Sequence, residues 1–301
     1  MQFLYKLTLY FLQQILEHFC FFHQNRCNYK LVFVTVYPFV YVVFASFSDP
    51  GQMLSHSGLL WKPLGFETGG YRLVLKNPLI FSGCANTLLC VVAGTTINMI
   101  LTTFAAYALS RKSFLLKKPL MMGIVFTMFF SGCLIPSYLV VNGLGLYDNR
   151  LAVLLPGAIS AWNMIIMRTS FMAIPASIEE SAKLDGANDF TILLRIVVPL
   201  STAVMAVMAL FYAVGHWNAW FGALIYLKDR GKYPLQLILR EILIVNSTDS
   251  MLGGGGDTFG TAMDLIVKYA CIVVATVPVL CLYPFLQKYF VKGVMIGSVK
   301  E

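Results

Sequence analysis

The stretch 80–109 reads IFSGCANTLLCVVAGTTINMILTTFAAYAL and carries no charged residue. At about 1.5 Å per residue, a helix of that length crosses the roughly 30 Å hydrocarbon core of a bilayer. Five further apolar runs lie near 31–48, 119–141, 151–172, 200–226 and 267–288. The whole chain has 301 residues, of which 58% are hydrophobic and 12% charged, about half the charged share of a soluble domain. An apolar excess on this scale faces lipid as well as a core. The expected fold is all-α, a polytopic transmembrane helical bundle with about six spans. Pro38, Gly132, Pro136, Pro278 and Pro284 fall inside the runs. Membrane helices tolerate such residues, and the last two predict a bend in span six.

The net charge of +8 suits nucleic acid in a soluble protein. Here the basic residues flank apolar runs, which is the pattern of membrane orientation, so no nucleic-acid partner is expected. Arg111, Lys112, Lys117 and Lys118 form the strongest cluster, and no acid interrupts it. That loop is therefore cytoplasmic. Arg26 and Lys30 before span one, and Lys288 and Lys292 after span six, fall on the same side. Both termini are then cytoplasmic, and 49–79, 142–150 and 227–264 are outer loops. Trp61, Tyr71, Tyr147, Tyr226 and Tyr233 fall near the predicted outer boundary. Residues 1–30 form a separate segment, with an interfacial amphipathic helix predicted over 3–22. The seven cysteines contain no CxxC pair and mostly lie in apolar runs, so packing is expected of them and no metal site. Gly253 to Gly256 form a turn, since no Gly-Lys-Ser/Thr follows to cradle a phosphate.

Between spans four and five the chain reads Pro175-Ala-Ser-Ile-Glu-Glu-Ser-Ala-Lys-Leu-Asp-Gly-Ala-Asn-Asp-Phe190. Ser177 and Glu180 have capping-box spacing and predict a helix from about residue 178. Glu179 and Glu180 sit in its first turn, where the helix dipole favours anions. Gly186 ends it in the left-handed conformation, and Asn188 or Asp189 caps the next helix. The expected exposed surface of this helix is small: Ser181, Ala182, Gly186 and Ala187. Small residues permit close approach by a partner.

Glu180-Ser-Ala-Lys-Leu-Asp-Gly-Ala187, with Ile196-Val-Val-Pro199 beginning nine residues later, resembles the EAA loop of binding-protein-dependent ABC importer permeases. The usual pattern is Glu-Ala-Ala, two residues, Asp-Gly-Ala, then Ile-x-Leu-Pro. This chain departs from it at Ser181 and Val198. Phe211-Tyr-Ala-Val-Gly-His-Trp-Asn218 and Asn86-Thr87 are similar to carbohydrate-importer permeases of the maltose type, and Gln287–Gly297 to the tail of their second permease subunit. Leu134-Ile-Pro-Ser-Tyr, Pro156-Gly-Ala-Ile-Ser-Ala-Trp-Asn163 and Pro234-Leu-Gln-Leu resemble permeases for complex polysaccharides or aldouronates. The resemblance covers about 31–301.

What it implies is a permease domain in a prokaryotic plasma membrane. A cytosolic ABC ATPase pair docks on a cytoplasmic coupling helix through Glu180, Ser181, Ala182, Asp185, Gly186 and Ala187. A second permease subunit completes a heterodimer, and an extracellular solute-binding protein delivers sugar. ATP is used by the partner, and this chain binds no cofactor. The tail from Lys292 to Glu301 is a second candidate ATPase contact. His216, Trp217 and Asn218 stand inside span five, as candidate sugar contacts or as helix–helix hydrogen bonds. Arg168, at the inner end of span four, is expected to snorkel toward lipid phosphate.

An ion-coupled secondary transporter is the rival reading. Such proteins usually place carboxylates in the membrane, and the six runs contain no Asp or Glu. No nucleophile elbow, His-Glu-x-x-His or paired intramembrane carboxylate supports an enzyme, so no catalytic residue is assigned.

Overall fold

The chain is helical over most of the residues that the computed structural model describes, which are 26–111, 114–130, 132–251, 263 and 265–281. No strand occurs among them, in keeping with an all-α fold. The predicted helix over 3–22, the glycine run at 253–256 and the tail from Lys292 lie outside the described residues.

The chain divides into two compact units, 1–71 with 255–273 and 72–254 with 274–301. In the first, α1 (Arg26–Ser46) contains Pro38. Asp49 then caps α2 (Pro50–Ser55), its Oδ1 accepting from the Gln52 amide at 3.0 Å. The following residues do not project outward as the loop reading expects. They fold back along α1. The Leu60 amide donates to the Tyr37 hydroxyl at 2.7 Å, and Trp61 stacks on Phe33 with ring centroids 5.7 Å apart. Phe33 precedes the end of α1 by thirteen residues, roughly 20 Å of helix, so Trp61 packs against the first half of α1 and not at its end. The cause is local: the capped turn of α2 reverses the chain, and Tyr37 supplies a partner for an irregular backbone amide. Ala45, Met53, Leu60 and Ile266 form the buried cluster. The chain leaves through α3 (Gly69–Lys76), where the Tyr71 hydroxyl bonds Ser46 at 2.7 Å.

The second unit is built on α4 (Pro78–Ser110), 33 residues long. Asn77 caps it, accepting from the Leu79 amide at 3.0 Å, and Pro78 occupies the first turn. Gly83, Thr87, Cys90, Gly94, Asn98 and Thr102 recur every three or four residues and are all buried. Phe81, Leu88, Val92 and Ile100 are exposed. This distribution inverts that of a soluble helix, as expected where lipid is as apolar as a core and small residues let helices meet.

The remaining runs are interrupted. Next come α5 (Lys117–Phe129) and α6 (Leu134–Gly143), which meet at a bend. The run 151–172 splits into α7 (Leu151–Leu154) and α8 (Ala161–Met172) around Pro156 and Gly157. Further along lie α9 (Ala176–Leu184) and α10 (Asp189–Leu200), the latter with a π-helical turn at Leu193–Val197. An 87° bend separates α10 from α11 (Thr202–Asn218). Then follow α12 (Phe221–Tyr226), α13 (Leu235–Met251) and α14 (Leu265–Cys281).

Among the described residues, therefore, one helix is long and apolar enough to cross a membrane, or up to three if each bent pair is one span. In the run 151–172 Pro156 makes the break, by removing a helix N–H and crowding the preceding turn, whereas Pro38 is accommodated inside α1 and the break between α11 and α12 holds no proline.

The broken backbone at 155–160 is served by buried side chains. The Asn98 amide donates to the Gly157 carbonyl at 3.5 Å. The Tyr212 hydroxyl accepts from the Ser160 amide at 3.1 Å and pairs with Thr102 at 2.7 Å. Non-helical backbone at membrane depth persists only where such partners exist.

Candidate coupling site

Helix α9 is set by its two ends. Its N-cap is Pro175, with no side-chain cap bond, so the expected Ser177–Glu180 capping box does not form. Pro175, at φ −57°, directs the chain into the helix two residues earlier, which puts Ser177 inside it. At the other end the Gly186 amide bonds the Lys183 carbonyl at 3.0 Å, and the Ala187 amide bonds the Ala182 carbonyl at 2.9 Å. With Gly186 at φ +82°, this is a Schellman ending. Asn188, rather than Asp189, caps the next helix, accepting from the Thr191 amide at 2.8 Å.

Two of the residues expected on the exposed face turn inward. Ala182 is buried, in a cluster with Phe171, Ile192 and Met208, and Ala187 packs beside it. The Schellman ending itself brings these two alanines together against the bundle. Glu180, Ser181, Asp185 and Gly186 remain exposed. Leu184, which the sequence pattern did not single out, stands 89% exposed at the end of the helix. Glu179, in the first turn, ion-pairs with Arg111 and with Lys183, the latter at 3.1 Å. Arg168 does not snorkel: its Nε donates to the Leu109 carbonyl at 3.0 Å, at the end of α4.

In α11, Trp217 is buried and its indole N–H donates to the Ala275 carbonyl at 3.3 Å. It is a helix–helix contact in this structure, with little face to offer a sugar. Asn218 is exposed, but its amide donates to its own helix at Val214, 3.0 Å away. His216 lies over Gly94: a Cβ built on that glycine would stand 2.5 Å from its Nε2. Gly94→Ala is expected to cost about 1–3 kcal/mol by overpacking. Gly94→Ala with His216→Ala should recover most of it in a thermal-shift assay. Equal losses in the single and double variants would disprove the contact.

Residues 86–296 match the family described as the binding-protein-dependent transport system inner membrane component. The chain belongs to this family. It is 43% identical over 271 residues to the polygalacturonan/rhamnogalacturonan transport system permease protein YtcP of Bacillus subtilis (strain 168), covering 89% of this chain and 93% of that protein. It is 39% identical over 269 residues to protein LplC of the same organism, covering 89% and 90% of the two chains. Among solved structures it matches a bacterial ABC transporter involved in the import of the acidic polysaccharide alginate. There the TM-score is 0.76 at 32% identity, covering 86% of this chain and 92% of the other. The family is one of transporter permeases, resident in the plasma membrane. Its members work with an ATPase and a substrate-binding protein.

The permease carries a second polar constellation at the opposite end of α4. The Asn86 amide donates to the carbonyls of Gly231 at 2.7 Å and Tyr233 at 3.2 Å, and its Oδ1 accepts from Arg150 Nη2 at 2.7 Å. Thr87 accepts from the Leu235 amide at 2.8 Å. The Asn86-Thr87 pair thus holds the loop that enters α13. Asp148 accepts from the amides of Lys228 and Asp229 at 3.0 and 3.1 Å and from Lys232 Nζ at 2.9 Å. These bonds, Lys232 foremost, pull its carboxyl down from 3.8 to about 2. A lowered native pKa contributes stability above the ordinary value and loses it as pH falls through the native one. Pepsin cleavage near 228–232 should therefore rise between pH 4 and 2, with no such step in Asp148→Asn. A flat wild-type profile would refute this.

Proposed function

We propose that this permease is the pathway-forming subunit of an ATP-driven oligosaccharide importer, with uronate-containing oligosaccharides as substrates. It docks a cytosolic ATPase through α9, on Glu180, Ser181, Leu184, Asp185 and Gly186. ATP is hydrolysed by that partner, and this chain holds no cofactor. A second, different permease subunit completes the pathway, and both termini face the cytoplasm. The observation that carries the docking reading is α9 itself. A short helix ends in a left-handed glycine, presents an apolar side chain to solvent at its tip, and is seated on the bundle by Ala182. Exposed apolar side chains at a helix end are what an interface buries. The sugar class rests on the relative YtcP, whose name specifies polygalacturonan and rhamnogalacturonan, and on the alginate importer.

The test is trigalacturonate uptake by cells expressing the full importer, with maltotriose for comparison and a protonophore added while ATP is held constant. Uptake of trigalacturonate that survives the protonophore supports the proposal. Uptake that collapses with the proton gradient overturns it and restores the ion-coupled reading.

A further inference from the structure

The ion pair of Arg111 and Glu179 joins the end of α4 to α9 across 68 residues of sequence. Both side chains are largely buried, at 15% and 20% exposure, and charge-assisted bonds in such places are the stronger ones. Arg111 is held on two other sides. Its guanidinium lies 4.4 Å from the centre of the Tyr107 ring, and its Nε donates to Ser110 Oγ at 3.0 Å. Its orientation toward Glu179 is therefore preset. A cavity of about 240 Å³ opens beside the pair, lined by Ser110, Lys117, Phe171, Ala176 and Glu180 among others. Ser110 at the end of α4 and Ala176 and Glu180 of α9 line its walls, and the pair joins the two helices at its edge. α4 continues from this point without a break to Asn86, which grips the carbonyls of Gly231 and Tyr233.

We propose that the Arg111–Glu179 pair is the strut by which movement of α9 enters α4 and, through Asn86, reaches the loop at the other end of the permease. Both are positioning residues. The proposal rests on the reading of α9 as the ATPase contact. A helix held only by packing over a cavity slips; one held by an oriented guanidinium moves with its partner. Arg168, on the Leu109 carbonyl, ties α8 to the same end of α4, so the pull is shared by two helices.

The test is a double-mutant cycle in proteoliposomes of the full importer, supplied with binding protein and trigalacturonate. It reads ATPase retention and sugar imported per ATP hydrolysed. Arg111→Ala and Glu179→Ala should each retain the ATPase within about twofold and lower import per ATP about tenfold. The double variant should be no worse than either single, because residues acting as one unit are non-additive. Arg111→Lys should recover at least about half of the coupling, since the charge remains but the fork geometry is lost. Wild-type coupling in the singles, or a multiplied loss of about a hundredfold in the double, would overturn the strut. So would loss of ATPase retention in either single, which would make the pair part of the dock. A wild-type chain that retains no ATPase removes the docking reading, and the strut with it.

Discussion

Gly186→Trp is expected to reach the membrane in normal amount and to lower ATP-driven uptake about a hundredfold, as loss of a central contact of 2–4 kcal/mol implies. The backbone part of the effect is small. Gly186 sits at φ +82°, where an L-residue costs about 1–2 kcal/mol. Among the described residues no heavy atom lies within 4 Å of a Cβ added there, so the side chain starts out into open space. It projects beside Ser181, Leu184 and Asp185, into the space that the partner needs. Gly186→Ala is the control: it carries the backbone strain without the bulk, and should keep most of the uptake. Co-purification of the ATPase with solubilised permease measures the docking step directly. If Gly186→Trp retains the ATPase and transports normally, α9 is a structural turn and the proposed dock is elsewhere.

Asn86→Leu is expected to destabilise the permease by about 3 kcal/mol or more and to free the segment 227–235. The substitution keeps the branched shape, at a somewhat larger volume, and removes every side-chain bond given above for Asn86. The carbonyls of Gly231 and Tyr233 lose their donor, and Arg150 loses its acceptor. The guanidinium is already poorly served, since its Nε has no partner among the described residues. Leaving a half-buried charged group such as Arg150 unpaired costs more than a neutral hydrogen bond contributes. Thr87→Val, which removes one acceptor from the Leu235 amide, should cost only about 1 kcal/mol. Hydrogen exchange over 227–235 distinguishes the two, being much faster in Asn86→Leu. Unchanged exchange there would show that the loop is held by other contacts.

The features legible in the sequence are those governed by near neighbours along the chain. The uncharged run 80–109 became α4 because an apolar segment of that length has one stable form in lipid, a helix that satisfies its own backbone. Gly186 as a helix end and Asn188 as a cap were readable for the same reason: their hydrogen bonds close within three to five residues. The missed capping box belongs to this class too. The capping-box spacing points to Ser177 as the start, and the fixed φ of Pro175, two residues earlier, outweighs the side-chain bond.

Tertiary structure alone decided which faces and which partners. Ala182 has the small side chain of a contact residue, yet it seats α9 on Phe171 and Ile192; Leu184, next but one, takes the exposed place. The partners of the buried polar residues of α4 are not given by its own sequence. In the fold, Asn98 serves the broken backbone near Gly157, and Asn86 serves a loop 145 residues away. Trp217 likewise found its acceptor at Ala275, 58 residues on. Periodicity reports which side of a helix is small or polar, because that is a property of one helix. Whether a polar atom meets backbone, a guanidinium or a ligand depends on which distant segment packs against it, and only the packed chain brings Arg111 and Glu179 together.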